Sequence, residues 1–325
     1  IFAYYGIERC FELTYVPWLP IKGKPIYYGF LSAMSLRRIK PDLAYGRHVI
    51  SSYFAAEIGF PVILESHSPI TLSGKFNSLI FKKLIAKKKF EYLVVITDSL
   101  KIWYEKNYPE LIGRVIVAPD GADLPTQEPR WNYQEYDIQQ NLKVGYVGSL
   151  YPGKGMEIIS DLAKQCLDME FHIVGGTDQD IDSWKNRLGD QKNLIFHGFI
   201  PPSQVGQKMQ QMDVLIAPNL KNVFVGLTNF TDIGQWTSPL KVFEYMSSGK
   251  PIVASDIYPL KEVLKHEDNS LLCDINNKQS FQLALERLKQ NPFLRSKLAK
   301  RAYEELCRKY NWKSRAKIVL SRCFT

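Results

Sequence analysis

The chain has 325 residues, 45% of them hydrophobic, with a formal charge of +9 and a pI of about 9.1. That length and apolar share exclude a disordered chain and predict about two domains, while no apolar run reaches the roughly 20 residues that span a bilayer. The basic balance suits an anionic membrane surface or phosphorylated substrates; no nucleic-acid-binding motif accompanies it, so nucleic acid is set aside as a partner.

The five cysteines (Cys10, Cys166, Cys273, Cys307, Cys323) are scattered, and no pair of the five histidines stands at i, i+4. Neither set has metal-ligand spacing, so reduced thiols and no metal are expected. The opening IFAYYGIERCFELTY has neither a basic nor an apolar leader region, so no signal peptide is expected there, and the thiols suit a cytoplasmic location.

Taken in order, the predicted strands of the first half are FELTYV from Phe11, DLAYGR from Asp42, PVILES from Pro61, YLVVIT from Tyr92 and RVIVAP from Arg114. Between the third and fourth lies FNSLIFKKLIAKKKF, Phe76 to Phe90. Its apolar residues Phe76, Leu79, Ile80, Leu84 and Ile85 follow helical spacing, so an amphipathic basic helix is expected. Its lysines suit a solvated face or peripheral attachment to the inner face of an anionic membrane. Residues 120 to 141, DGADLPTQEPRWNYQEYDIQQN, are polar, contain proline and lack periodicity, as a linker does. The predicted domains are therefore 1–124 and 141–305, with a linker at 125–140 and helices over 306–325 returning towards the first domain.

The second half continues with KVGYVG from Lys143, EFHIVG from Glu170, NLIFHG from Asn193, VLIAPN from Val214, PIVASD from Pro251 and SLLCDI from Ser270. These runs are continuous and rich in β-branched residues, as buried parallel strands are. Helical patterns such as GMEIISDLAKQC, SPLKVFEYMSSG and FQLALERLKQ separate them. The expected fold class is α/β, with two Rossmann-like parallel-sheet domains facing a cleft.

Two stretches carry chemistry. In YVGSLYPGKGMEII a strand ends at Gly148 and a helix starts near Gly155, with Lys154 between them. Glycines admit a ligand close to backbone amides, and a helix N-terminus adds partial positive charge, so the loop can cradle a diphosphate. A plain strand-helix turn with a solvated lysine has the same pattern. In TSPLKVFEYMSSGKPIVASD, Ser238 suits an N-cap, Pro239 a first turn and Gly249 a C′ position. Lys241 and Glu244 share a helical face, as a surface ion pair or as ligands of a phosphate and a ribose diol.

VGSLYPGKG, IVGG, IFHGFIP, DVLIAP and SPLKVFEYMSSGKPIVASD, in this order and spacing over about 180 residues, resemble the donor domain of the retaining GT-B glycosyltransferases of family 4, the glycosyl transferases group 1. PDLAYGR, FPVILESHSP, VVITDSL and VIVAPDGAD resemble the acceptor domain of that family less closely. The resemblance implies transfer of a sugar, with retention, from a nucleoside-diphosphate sugar to a polysaccharide, glycolipid or lipid-linked acceptor, without a cofactor or metal. It assigns the diphosphate to Lys154, close backbone approach to Gly148 and Gly155, the ribose to Glu244, the base to Ile200, and phosphate-facing amides to the region of Ser238 and Leu240. His67, in ESHSP, matches a histidine that faces the reacting sugar.

The chain departs from the family in three places. Ser149 stands where an arginine is common, and Trp236 where the first of two glutamates is common, which leaves only Glu244. Lys241 is the expected substitute for the arginine, forming a two-lysine clamp with Lys154. FELTYV matches the third strand of the family's first domain rather than its central first strand, so the N-terminal domain is expected to be truncated, with FELTYV separated from the remaining strands or at an exposed edge. The rival readings are another GT-B enzyme, such as a nucleotide-sugar epimerase, or a non-catalytic nucleotide-sugar-binding subunit.

Overall fold

The computed structural model describes residues 2–5, 8–18, 20, 22–129, 131, 141–189, 191–225, 231, 232, 234–236, 238 and 240–322. Strands and helices alternate along it, and the chain divides into two units. The first comprises Arg9–Pro119, Trp236–Ser238 and Ala316–Thr325; the second comprises Ile1–Glu8, Asp120–Gln235 and Pro239–Arg315. A four-residue helix, α1 (Phe2–Tyr5), opens the second unit.

The first unit is built on strands β1 (Ala44–Gly46), β2 (Val62–Ser66), β3 (Phe90–Val95) and β4 (Val115–Val117), all parallel and ordered β1-β2-β3-β4. Helices α2 (Lys24–Ile39), α3 (Val49–Glu57), α4 (Lys75–Ile85) and α5 (Asp98–Asn107) cover it. The run Val62–Leu64 is fully buried, as expected of a strand with helices on both faces. Thr97 caps α5 by accepting from Leu100 N. Phe81, Leu84, Leu93, Leu100 and Tyr104 fill one face of the sheet; Ile63, Val94, Ile116, Ala118 and Val319 fill a second cluster.

Two expectations for this half are corrected. FELTYV, residues 11–16, forms no strand. Phe11, Leu13 and Tyr15 are exposed, although residues 11–15 alternate in polarity. Alternation decides which side chains share a face, but a strand also needs an edge to pair with. The basic helix stops at Ile85 rather than Phe90. Phe90 is buried as the first residue of β3, opposite Val62, so the chain must leave the helix before it. It does so in a turn closed by Lys87 N to Leu84 O at 2.9 Å and Phe90 N to Lys87 O at 3.1 Å.

The second unit holds six parallel strands: β5 (Leu142–Val147), β6 (Met169–Val174), β7 (Leu194–Gly198), β8 (Val214–Ala217), β11 (Ile252–Ser255) and β12 (Leu271–Cys273). A short antiparallel pair, β9 (Phe224–Val225) with β10 (Thr231–Asp232), follows β8. The helices are α6 (Met156–Gln165), α7 (Asp178–Leu188), α8 (Pro202–Gln210), α9 (Leu240–Ser248), α10 (Tyr258–Lys261), α11 (Lys278–Gln290) and α12 (Pro292–Lys309); α13 (Trp312–Leu320) begins in this unit, and its residues from Ala316 on belong to the first. All six strands expected here are present. The sheet order is β12-β11-β8-β5-β6-β7. The winding therefore reverses between β5 and β8, the topological switch point at which open α/β sheets bind ligands outside the carboxyl ends of their strands. The expected linker lies largely outside the described residues, as does Pro239.

Candidate active site

At the switch point β5 and β8 part, and their backbone groups lose a neighbour. Tyr245, the sixth residue of α9, supplies one. Its hydroxyl accepts from Val147 N at 2.8 Å and lies 3.3 Å from the carbonyls of Val147 and Ile216. Tyr245 is fully buried, and burial raises its phenol pKa well above the usual value, so it remains a neutral donor. This contact seats α9 over the ends of the two strands.

A pocket of about 490 Å³ opens there. Val147, Gly148 and Ser149 line it from the end of β5, and Val174, Gly175 and Gly176 from the end of β6. Phe199, Ile200, Pro202 and Val205 form its apolar wall, Thr177 and Asp180 come from the start of α7, and Glu244 comes from α9. Desolvation by the walls raises the Glu244 carboxyl pKa although the residue keeps an exposed face, and nearby Lys241 opposes the rise. Asp180 closes a capping box: its carboxylate accepts from Thr177 N at 3.0 Å and from Thr177 Oγ1 at 2.8 Å. The α7 terminus thus already holds an anion, which leaves phosphate binding to other groups.

The loop after β5 is shaped by glycine. Gly155, the N-cap of α6, has φ +93°, and a Cβ there would lie 1.9 Å from the Pro218 carbonyl oxygen. Only glycine fits both the backbone and the space. Lys154 precedes it, half-buried, and desolvation lowers its pKa. Lys241 in the first turn of α9 points to the same loop. Its Nζ stands 4.0 Å from the centre of the Tyr146 ring and would lie 3.2 Å from a Cβ at Gly148. That nitrogen is inaccessible and has no hydrogen-bond partner among the described residues. Desolvation lowers its pKa well below 10.5; Lys154 lowers it further and Glu244 counteracts.

Gly148, Ser149, Ile200 and Glu244 therefore line one pocket, with Lys154, Gly155 and Lys241 grouped at the adjoining loop. Leu240 is exposed at the first position of α9. Lys241 and Glu244 form no ion pair within 4 Å among the described residues, so the surface-pair reading is corrected: burying Nζ on the Tyr146 ring keeps it from the carboxylate. Ser238 is buried and, with Trp236, belongs to the first unit, where Trp236 meets Trp103 edge-to-face at 6.4 Å.

His67 also lies in the first unit, just after β2. Arg47 Nη2 stands 3.0 Å from its Nδ1, while Nε2 bonds the buried Glu65 carboxylate, which also accepts from the Tyr45 hydroxyl. Sequence reading missed Tyr146, Tyr245, Glu65 and Arg47. All four lie inside quoted motifs, but the contacts of Tyr146 with Lys241, Tyr245 with Val147, Glu65 with Tyr45 and Arg47 with His67 join residues 20 or more positions apart, which no local spacing shows. The Thr177–Asp180 capping box was legible as T-x-x-D.

Residues 141–291 match the family model described as glycosyl transferases group 1. The chain is 27% identical over 261 residues to the phosphatidyl-myo-inositol mannosyltransferase of Mycolicibacterium smegmatis (78% of this chain, 62% of that protein). It is 23% identical over 278 residues to YtcC of Bacillus subtilis (78% of this chain, 64% of that protein), and so spans less than two thirds of both. Among solved structures, Anabaena Alr3699/HepE in complex with UDP and glucose superposes with a TM-score of 0.69 at 17% identity, covering 95% of this chain and 85% of that one. Sucrose-phosphate synthase from Thermosynechococcus elongatus gives 0.68 at 17% identity, over 98% of this chain and 82% of that one. The fold is GT-B: two α/β units, each on a parallel sheet.

Proposed function

We propose that the chain is a glycosyltransferase that uses a nucleoside-diphosphate sugar and transfers the sugar, with retention, to a glycan or lipid-linked acceptor. The observation that carries this reading is the switch-point pocket. An apolar wall and the Glu244 carboxylate meet there, beside a glycine loop with Lys154 and Lys241, within the region that matches the group 1 model. The wall around Ile200 suits the flat face of a base, Glu244 suits a ribose diol, and the loop with Lys154 suits the diphosphate.

In the transfer, the bond between the anomeric carbon and the phosphate oxygen breaks, and its electron pair stays on the diphosphate. The acceptor hydroxyl oxygen forms the new bond, and its proton passes to the departing phosphate. Lys154 and the amides at the start of α6 stabilise the charge that develops there. The resemblance assigns His67 to the transferred sugar. Cationic side chains thus take the place that a divalent ion holds in other transferases. The likeness to HepE, which was solved with UDP and glucose, favours a nucleotide-sugar donor over other anionic ligands.

The test is a thermal-shift panel of UDP-, GDP-, ADP- and dTDP-sugars, followed by NMR of the product's anomeric configuration. Stabilisation by one nucleotide class, lost in Glu244→Ala, is expected. Equal response to all of them, or to none, would refute the donor reading; a product of inverted configuration would refute retention alone.

A further inference from the structure

We propose that Lys241 is a second cation for the donor diphosphate, held on the ring of Tyr146 beside the Gly148 turn until the anion arrives. This role rests on the nucleotide-sugar reading of the pocket and adds to it a residue from a different element than the glycine loop.

The first support is the environment of the ammonium. Lys241 Nζ is buried, makes no hydrogen bond to any described residue and rests on the Tyr146 ring at 4.0 Å. An unanswered ammonium away from water is costly, and a cation–π contact recovers only part of the cost. The fold offers Glu244 on the next turn of the same helix, yet it does not bring the carboxylate within 4 Å. The shelf is specific to this loop. The Tyr146 hydroxyl is tied to the Ser149 carbonyl at 2.7 Å, which fixes the ring, and Gly148 leaves the side-chain space that Nζ borders.

The second support is that the ammonium is not alone. Lys154, which directly precedes the N-cap of α6, depresses the protonation of Lys241 from a separate element. An anion carrying more than one charge relieves that repulsion and answers both groups. A diphosphate next to a pocket for a nucleoside has that charge in that place. As the leaving diphosphate gains charge, Lys241 opposes it from the α9 side and Lys154 from the α6 side.

The experiment is calorimetric titration of the full chain with UDP, GDP, ADP and dTDP and with the matching nucleosides. Failure of the parent to bind any of the diphosphates would overturn the nucleotide-sugar reading and this role with it. If the parent binds one, Lys241→Met is expected to weaken it about tenfold or more while leaving the nucleoside's affinity unchanged. An unchanged diphosphate affinity overturns the role of Lys241 and leaves the donor reading intact. Lys241→Arg, always charged, keeps most of the affinity and is the variant that carries the test if the methionine variant does not fold. Repeating the titration in two buffers of different ionisation enthalpy reads the proton taken up on binding. Uptake should fall in Lys241→Arg beyond what Lys154→Arg alone removes, and undiminished uptake overturns the proposal.

Discussion

Tyr245 on α9 places its hydroxyl 2.8 Å from the amide of Val147 at the end of β5. This bond, with the carbonyls of Val147 and Ile216, satisfies the backbone groups exposed where the sheet changes winding. Tyr245→Phe keeps the ring and strands those groups in a dry environment. We expect a loss of about 2 kcal/mol in unfolding free energy by urea titration, with weaker nucleotide binding because α9 also carries Lys241 and Glu244. Unaltered stability would show that water replaces the hydroxyl.

Gly155→Ala combines a backbone of φ +93° with a Cβ placed 1.9 Å from a carbonyl oxygen. Left-handed strain and the clash together should cost about 3 kcal/mol or more. Gly113, with φ +80° and open space around its would-be Cβ, is the internal control. Gly113→Ala should cost only the backbone part, about 1 kcal/mol. Denaturation midpoints of the two variants read the difference.

Burial of Lys241 sets a dependence of stability on pH. Its folded pKa lies well below the 10.5 of a free lysine; desolvation comes first, then Lys154, with Glu244 opposing, and the neutral Tyr146 ring faces it. The unfolded chain then binds the proton more tightly than the folded one. The penalty is therefore fully present below the folded pKa and disappears as pH rises towards 10.5. Lys241→Met removes it. The ligand-free variant should be more stable than the parent at pH 7, by about 2 kcal/mol, with the gap closing as pH approaches 10.5. A gap that is constant across that range would contradict the buried-ammonium account.

Arg47 has only donors, so the His67 Nδ1 that faces it at 3.0 Å must accept, and the neutral ring carries its proton on Nε2 towards Glu65. Nitrogen-15 shifts should show a single tautomer in the parent and a mixture in Arg47→Met. If His67 acts at the reacting sugar, His67→Ala lowers turnover about a hundredfold and Arg47→Met about tenfold. Turnover unaffected in both variants would remove His67 from the reaction.

The anionic-surface reading now has a definite set of lysines. Lys87 pairs with Glu57 and lies over the Tyr53 ring, whereas Lys82, Lys83, Lys88 and Lys89 are exposed, together with Phe76 and Leu79 on α4. Sedimentation with phosphatidylserine vesicles should weaken by about 1 kcal/mol for each of these four changed to Gln. Lys87→Gln should instead leave vesicle binding largely unchanged. No binding by the parent would reduce the stretch to a solvated face.

The sequence alone determined the strands of the second unit, because runs such as KVGYVG and VLIAPN are continuous, apolar and bounded by glycine or proline. It also located the loop around Lys154 and Gly155 between a strand and a helix, although a plain turn with a solvated lysine has the same pattern. It misjudged FELTYV and the end of the basic helix, where pairing edges and the burial of Phe90 outweigh local periodicity. Which residues act together was a matter for the tertiary structure. Lys241 and Glu244 read as neighbours on one helical face, yet packing sends one ammonium onto Tyr146 and one carboxylate into the pocket. Residues 147 and 245 are linked by a hydrogen bond across 98 positions. Such contacts follow from the order in which strands join the sheet, and no local spacing records that order.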